Sequence, residues 1–347
     1  MHPPGTRLRL SEADEGMHAV EAARNFNESM YFNLFDHEQK IGGWLRIGNR
    51  PNEGHAEMSC CLYLPGGRVG FMYQRPELKH NTGFDAGGLQ FEILEPFRRQ
   101  RARYRGMLCL LDEPQQMINP QAAFRCNPIR RCALEFAFRG LAPPFGGEPV
   151  LADGSPIEIV PDTAFARGHY EQHLAGEGWL QVGDERYTLK GFGLRDHSWG
   201  PRYWQNIHWY RWLPLVFGAD FAMLLSVVAH RDGTRSDWGV VMTCDAAGRA
   251  RNDGITAMEL HSDYDARKRA IAQSATLRTE SGASYELAGR ALSLIPLRNR
   301  RVDESGQELQ TRITEAMTEF RCNGRVGYGM AEYLDQMLDG QPAGYPA

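Results

Sequence analysis

GHYEQHLAGEGWLQVGDERYTLKGFGLRDHSWGPRYWQNIHWYRW, residues 168–212, decides the reading of this chain. Gly178–Val182, the Gly183-Asp184 turn and Arg186–Lys190 predict a β-hairpin, because a Gly/Asp pair supplies the backbone freedom of a tight two-residue turn. The same stretch concentrates chemistry. It holds Trp179, Trp199, Trp204, Trp209 and Trp212, five of the seven tryptophans, together with His169, His173, His197 and His208. Arg195, Asp196, His197 and Arg202 form a dense charged group beside Trp199 and Gly200.

Outward from this hairpin the same grammar continues. Leu89, Phe91 and Ile93 alternate with Gln90 and Glu92, as a half-buried strand requires. Phe221–His230, the turn Arg231–Thr234 and Asp237–Thr243 predict a second hairpin, and Thr256–Asp263, Lys268–Thr279, Ser284–Leu294 and Glu315–Cys322 predict further strands. Local turns between them imply an antiparallel meander and not βαβ units, so the fold class is all-β, with barrels or sandwiches. Helix signals are few: Ser11 caps a short helix reaching into the 20s, and Arg325–Leu338 is expected to end the chain with a turn or two. Breakers gather at Gly140–Gly147 and Asp153–Pro156, predicting an N-terminal domain of residues 1–155 and a C-terminal domain of 156–347.

Bulk properties exclude several function classes. Lys and Arg number 39 against 43 Asp and Glu, a net charge of −4, which gives no basic surface for nucleic acid. No run approaches the roughly 20 apolar residues that span a bilayer, although peripheral membrane contact is left open. The start, MHPPGTRLRL, has no apolar core of a secretory signal, so a cytoplasmic location is expected. Seven scattered cysteines without a C-x-x-C pair predict reduced, buried thiols and no zinc site.

A charged cluster among tryptophans has three physical readings. One is a buried ion pair of Asp196 with Arg195 or Arg202 that locks a strand corner. Another is a proton donor, Asp196 or His197, facing an apolar pocket whose aromatic walls stabilise a developing cation. Metal binding by His197, His208 and a carboxylate is the third, and the spacing carries no H-x-H or H-E-x-x-H pattern to favour it. Elsewhere, Arg98, Arg99, Arg101, Arg103 and Arg105 alternate along a strand and are expected to form a solvated face.

Gly193-Leu-Arg-Asp-His-Ser-Trp-Gly-Pro-Arg202, with Tyr170-Glu-Gln172 upstream, resembles the hallmark of the carotenoid 1,2-hydratase (hydroxyneurosporene synthase)-like superfamily, in its uncharacterised bacterial branch. Gly327–Tyr333, Glu28–Phe32 and Gly42–Ile47 extend the resemblance over most of the chain. The resemblance implies two lipocalin-like antiparallel β-domains and addition of water to an isoprenoid double bond without metal or nucleotide, or a cyclisation in the same kind of pocket. His197 and Trp199 fall on the family's active-region histidine and tryptophan. One departure stands out: Phe221–His230 carries neither the tyrosine nor the acid the family places there, so the acid falls to Asp196, Glu171 or Glu332.

The expectation is thus a hydratase or cyclase acting on a hydrophobic, isoprenoid small molecule by acid–base chemistry. Asp196 donates or accepts the proton and His197 orients it. Trp199, Tyr203, Trp204 and Trp209 line the pocket, Arg195 and Arg202 hold carboxylates, and Glu171 and Glu332 support. No cofactor or metal is expected. A non-catalytic carrier of an apolar molecule and a double-bond isomerase of a polycyclic ketone are the alternatives.

Overall fold

The computed structural model describes residues 6–158, 166–203, 207–302, 306 and 308–346. Eight strands meander around a first barrel. They are β1 (Phe26–Asp36), β2 (Ile41–Arg50), β3 (His55–Tyr63) and β4 (Val69–Gln74), then β5 (Arg99–Leu111), β6 (Ile129–Gly140), β7 (Gly168–Val182) and β8 (Glu185–Pro201). Each pairs with its successor, and β8 returns to pair with β1, closing the ring. Short strands Arg7–Arg9, Phe84–Ala86, Leu89–Glu95 and Phe145–Val150 are added outside this ring.

A second ring repeats the plan. It comprises β9 (Ile207–Gly218), β10 (Phe221–His230), β11 (Arg235–Cys244) and β12 (Ala250–Tyr264), then β13 (Ala270–Thr279), β14 (Ser284–Val302), β15 (Glu308–Cys322) and β16 (Arg325–Leu338). Pairing of β9 with β16 closes it. Full closure removes exposed sheet edges, the recurrent hazard of antiparallel proteins. The fold is all-β, two lipocalin-like antiparallel barrels with few short helices.

Three expectations change here. Arg325–Leu338 is a strand and not a helical turn, because its alternation of inward Gly327, Gly329, Ala331 and Tyr333 with outward residues completes the second ring. Ser11 begins only a 3-10 turn, Glu12–Glu15, since the β1 strand takes over from Phe26. The second compact unit takes 207–347 together with 63–69 and 110–128, whereas residues 155/156 lie inside the first unit. The reason is closure: β7 and β8 follow the breaker-rich stretch, yet they fill the gap between β6 and β1. Of the cysteines, five are buried as reduced thiols, while Cys126 is exposed.

The β7–β8 hairpin turns at Gly183, whose φ of 60° lies in the left-handed region. Counting from it sets the register: Glu171 faces Asp196, Tyr170 faces His197 and Gly168 faces Trp199. The missing side chain of Gly168 matters, because a Cβ there would lie 2.2 Å from the Trp199 ring.

The lumens differ. In the first barrel Phe32 of β1 meets Phe138 of β6 at 4.9 Å between ring centroids, although these strands are not neighbours, so even-numbered β1 residues point inward. The second is filled by apolar side chains, aliphatic and aromatic, such as Leu213, Leu215, Met223, Leu225, Leu277 and Phe320. No described helix is long and apolar enough to cross a membrane.

Candidate functional site

Successive side chains of a strand point to opposite faces, and β8 uses both. Arg195, His197 and Trp199 project into the first lumen, level with Gln172 and Tyr170 of β7 and with Phe32, Met30 and Glu28 of β1. Asp196 and Ser198 project outward beside Glu171 and His169. The expected partnership of Asp196 with His197 is therefore absent: adjacent residues cannot share a face of a regular strand.

The inward face is an ionic plug. Arg195 is wholly buried and pairs with Glu15, not with Asp196. Its Nη1 donates to Glu15 Oε2 at 2.7 Å, Nη2 donates to the other oxygen, and Nε donates to Gln172 Oε1 at 3.0 Å. Tyr170 adds its hydroxyl to Glu15 Oε2 at 3.0 Å and its ring beneath the guanidinium. A fully hydrogen-bonded pair of this kind is the form in which buried charge is tolerated. Beside it, Glu28 accepts from the His18 backbone at 3.0 Å, His18 Nδ1 at 2.7 Å, Asn81 Nδ2 at 2.7 Å and His197 Nε2 at 3.2 Å. Burial opposes ionisation of Glu28, but the bonds from His18 and His197 win and hold its carboxyl down at about 2. His18 stacks on Trp199 at 3.9 Å, so the N-terminal segment closes over the motif.

On the outward face of β8 stands a second ionic cluster. His169 Nε2 contacts Asp196 Oδ2 directly, and Glu171 Oε1 lies 4.0 Å from the same nitrogen. Two carboxylates directly opposite on neighbouring strands repel unless a cation stands between them, and the imidazole occupies that place. Burial would depress the His169 pKa, yet the charge and hydrogen bond of Asp196, reinforced by Glu171, raise it above the ordinary value. Burial likewise opposes ionisation of Asp196, and the His169 charge, helped by Arg202, holds its carboxyl below the usual range. Arg202 donates to Ser198 Oγ, and its backbone N–H bonds Asn25 O at 3.1 Å, fixing the end of β8. Tyr31, opposite Asp196 on β1, stacks with Trp44 at 6.1 Å and provides the aromatic wall.

Trp199 lies in the first lumen, and Trp209 lies in the second barrel under Arg211, 4.8 Å from its guanidinium. Glu332 accepts a hydrogen bond from Tyr210 on the outward face of the second barrel. Tyr203 is half-buried, and Trp204 lies outside the described residues. The arginine run is a paired surface: Arg101 and Arg103 both bond Glu92. Reading by residue type missed His169, Glu15, Glu28, His18 and Tyr31.

Two trios bring possible ligand atoms within 4.8 Å of one another: His18, Glu28 and His197, and His169, Glu171 and Asp196. The first already spends the Glu28 carboxylate on four hydrogen bonds. The second has the donor set of a divalent cation site, in competition with the proton that His169 holds. A cavity of about 550 Å³ opens elsewhere, on the second barrel, lined by His261, Ser274, Thr276, Glu286 and Arg321 among others.

Paired eight-stranded antiparallel barrels, with an ionic plug and a His–carboxylate cluster on one shared hairpin, define a lipocalin-like double-barrel protein. The chain belongs to the DUF7064 family, a domain of unknown function, whose model matches residues 11–337. Among solved structures it is similar to CghA with Sch210972, at 10% identity and a TM-score of 0.55 over 98% of this chain and 99% of that one. It is also similar to a putative AttH from Nitrosomonas europaea, at 14% identity and a TM-score of 0.52 over 98% and 99%. Kievitone hydratase from Nectria haematococca aligns at 9% identity and a TM-score of 0.47 over 96% and 97%. At these identities the likeness to CghA and to the AttH protein is one of fold. No curated protein matches in sequence.

Proposed function

We propose that this protein is an enzyme of the hydratase, cyclase or isomerase kind, acting by acid–base chemistry on a double bond of a hydrophobic, isoprenoid-like molecule. The observation that carries the reading is the His169–Asp196 pair with Glu171 at its side, a proton donor held charged between two acceptors. In hydration, the charged His169 imidazolium gives up a proton to one alkene carbon, leaving the electron-poor carbon to be captured by water. The captured water then loses a proton to Glu171, and that proton returns to His169. One C–H and one C–O bond form at the expense of the π bond, with no change in overall redox state. Asp196 keeps the imidazole charged, Glu171 is the acceptor, and the Tyr31 and Trp44 faces favour positive charge nearby. Isomerisation uses the same proton cycle without capture of water.

The test is incubation with geraniol, farnesol and a β,γ-unsaturated 3-ketosteroid in D₂O and in H₂¹⁸O. Hydration places one solvent deuterium on carbon and one ¹⁸O in the product, whereas isomerisation places deuterium alone. Saturable binding without either label would support the carrier reading and overturn this one.

A further inference from the structure

Polar atoms inside the second barrel are left over by its own bonding. Gln273 of β13 is 4% exposed, and neither its Oε1 nor its Nε2 has a hydrogen-bond partner among the described residues. The ladder places it opposite Ser262 of β12 on one side and Gly289 of β14 on the other. Directly opposed residues share a face, so Ser262 points into the same lumen, where its Oγ lies 2.7 Å from Tyr333 Oη. Tyr264 Oη and Arg211 Nε are also buried without a described partner. A register shift between Asp263 and Tyr264 re-aims this end of the sheet.

Around this polar corner the lumen is apolar, with Met258, Leu287 and Phe320 in its core. The C-terminal strap closes the end: Arg211 Nη2 bonds Asp335 Oδ1 at 3.0 Å and Gly344 O at 2.7 Å, and Tyr345 packs on Tyr264. A buried amide with both arms unused is less stable than an apolar side chain of equal size, so such a group calls for a complementary partner. The amide offers one donor and one acceptor side by side, and an eight-stranded barrel has the width to hold one small ligand.

We propose that the lumen of the second barrel binds a small, largely apolar molecule whose polar end carries an adjacent acceptor and donor, as a carboxamide or lactam does. Gln273 pairs with that end, the Ser262–Tyr333 hydroxyls and Tyr264 surround it, and the apolar wall takes the body. This site does not depend on the His169 cluster, so each reading can fail alone.

The test is calorimetric titration of the full chain with octanamide and with methyl octanoate, which has the acceptor but no donor. The wild type should bind octanamide about tenfold more tightly, the ratio expected of one or two neutral hydrogen bonds. Gln273→Leu should remove that preference without lowering the melting temperature, and His169→Ala should leave it intact. Absence of octanamide binding to the wild type up to its solubility limit, or an unchanged preference in Gln273→Leu, would overturn the proposal. Should that variant not fold, the side-chain NH₂ signals of Gln273 in the wild type must shift on adding octanamide; signals that stay fixed would overturn it equally.

Discussion

The two faces of β8 carry charge in opposite ways. Inward, Arg195 and His197 end on carboxylates that are already saturated, Glu15 by Arg195, Tyr170 and the Phe97 amide, Glu28 by four donors. Outward, Asp196 meets one imidazole, itself within 4.0 Å of a second carboxylate. Saturation makes charge inert, since no proton can leave without breaking several bonds; an unequal group of one imidazole and two carboxylates can pass a proton on. One strand, alternating every residue, thus provides both the bolt that closes the first barrel and the group suited to chemistry.

Substitutions can break this contrast. The largest expected effect is on turnover: Asp196→Asn should slow it by about 10²–10⁴-fold, the usual weight of general acid–base catalysis, with a smaller loss of urea midpoint than Glu15→Gln causes. Glu15→Gln should do the reverse, costing about 3–5 kcal/mol of unfolding free energy because it strands the Arg195 charge. The double replacement Glu15→Leu, Arg195→Met should recover most of that loss, as apolar substitutes for a buried pair usually do.

Next comes pH. Glu28 has a folded value near 2 against 4.5 for a free carboxyl, so its contribution is complete above 4.5 and is lost as the pH falls towards 2. Melting temperatures measured between these limits should decline in the wild type and decline less in Glu28→Gln. The smallest effect belongs to the surface: Arg101→Ala, which removes a half-exposed partner of Glu92, should cost less than about 1 kcal/mol in a urea titration.

Much of the fold was legible because turns and alternation are local. The Gly183-Asp184 turn was enough to predict the hairpin, and counting outward from it puts Asp196 opposite Glu171 and Ser198 opposite His169. The same count separates Asp196 from His197, so the division of β8 into two faces was available from the register, although clustering by residue type conceals it. Glu15 was not available. It lies 180 residues from Arg195 and carries no local signal, since only closure of the barrel brings the two together. The terminal strand β16 was misread because its glycines suppress the alternation a strand normally displays, and its pairing with β9 depends on the whole ring. Trp209 was grouped with Trp199 by sequence proximity, yet a barrel boundary falls between them.

The chemistry of the outward face depends on an ionised Asp196 beside a charged His169. Its most direct test is an NMR titration of the His169 ring nitrogens in the wild type and in Asp196→Asn. His169 should titrate above 6.5 in the wild type, so the stability it lends is complete below 6.5 and is lost as the pH rises through its raised folded value. Removing the Asp196 charge should lower it. A wild-type His169 titrating at or below 6.5, or one that Asp196→Asn leaves unmoved, would contradict the account.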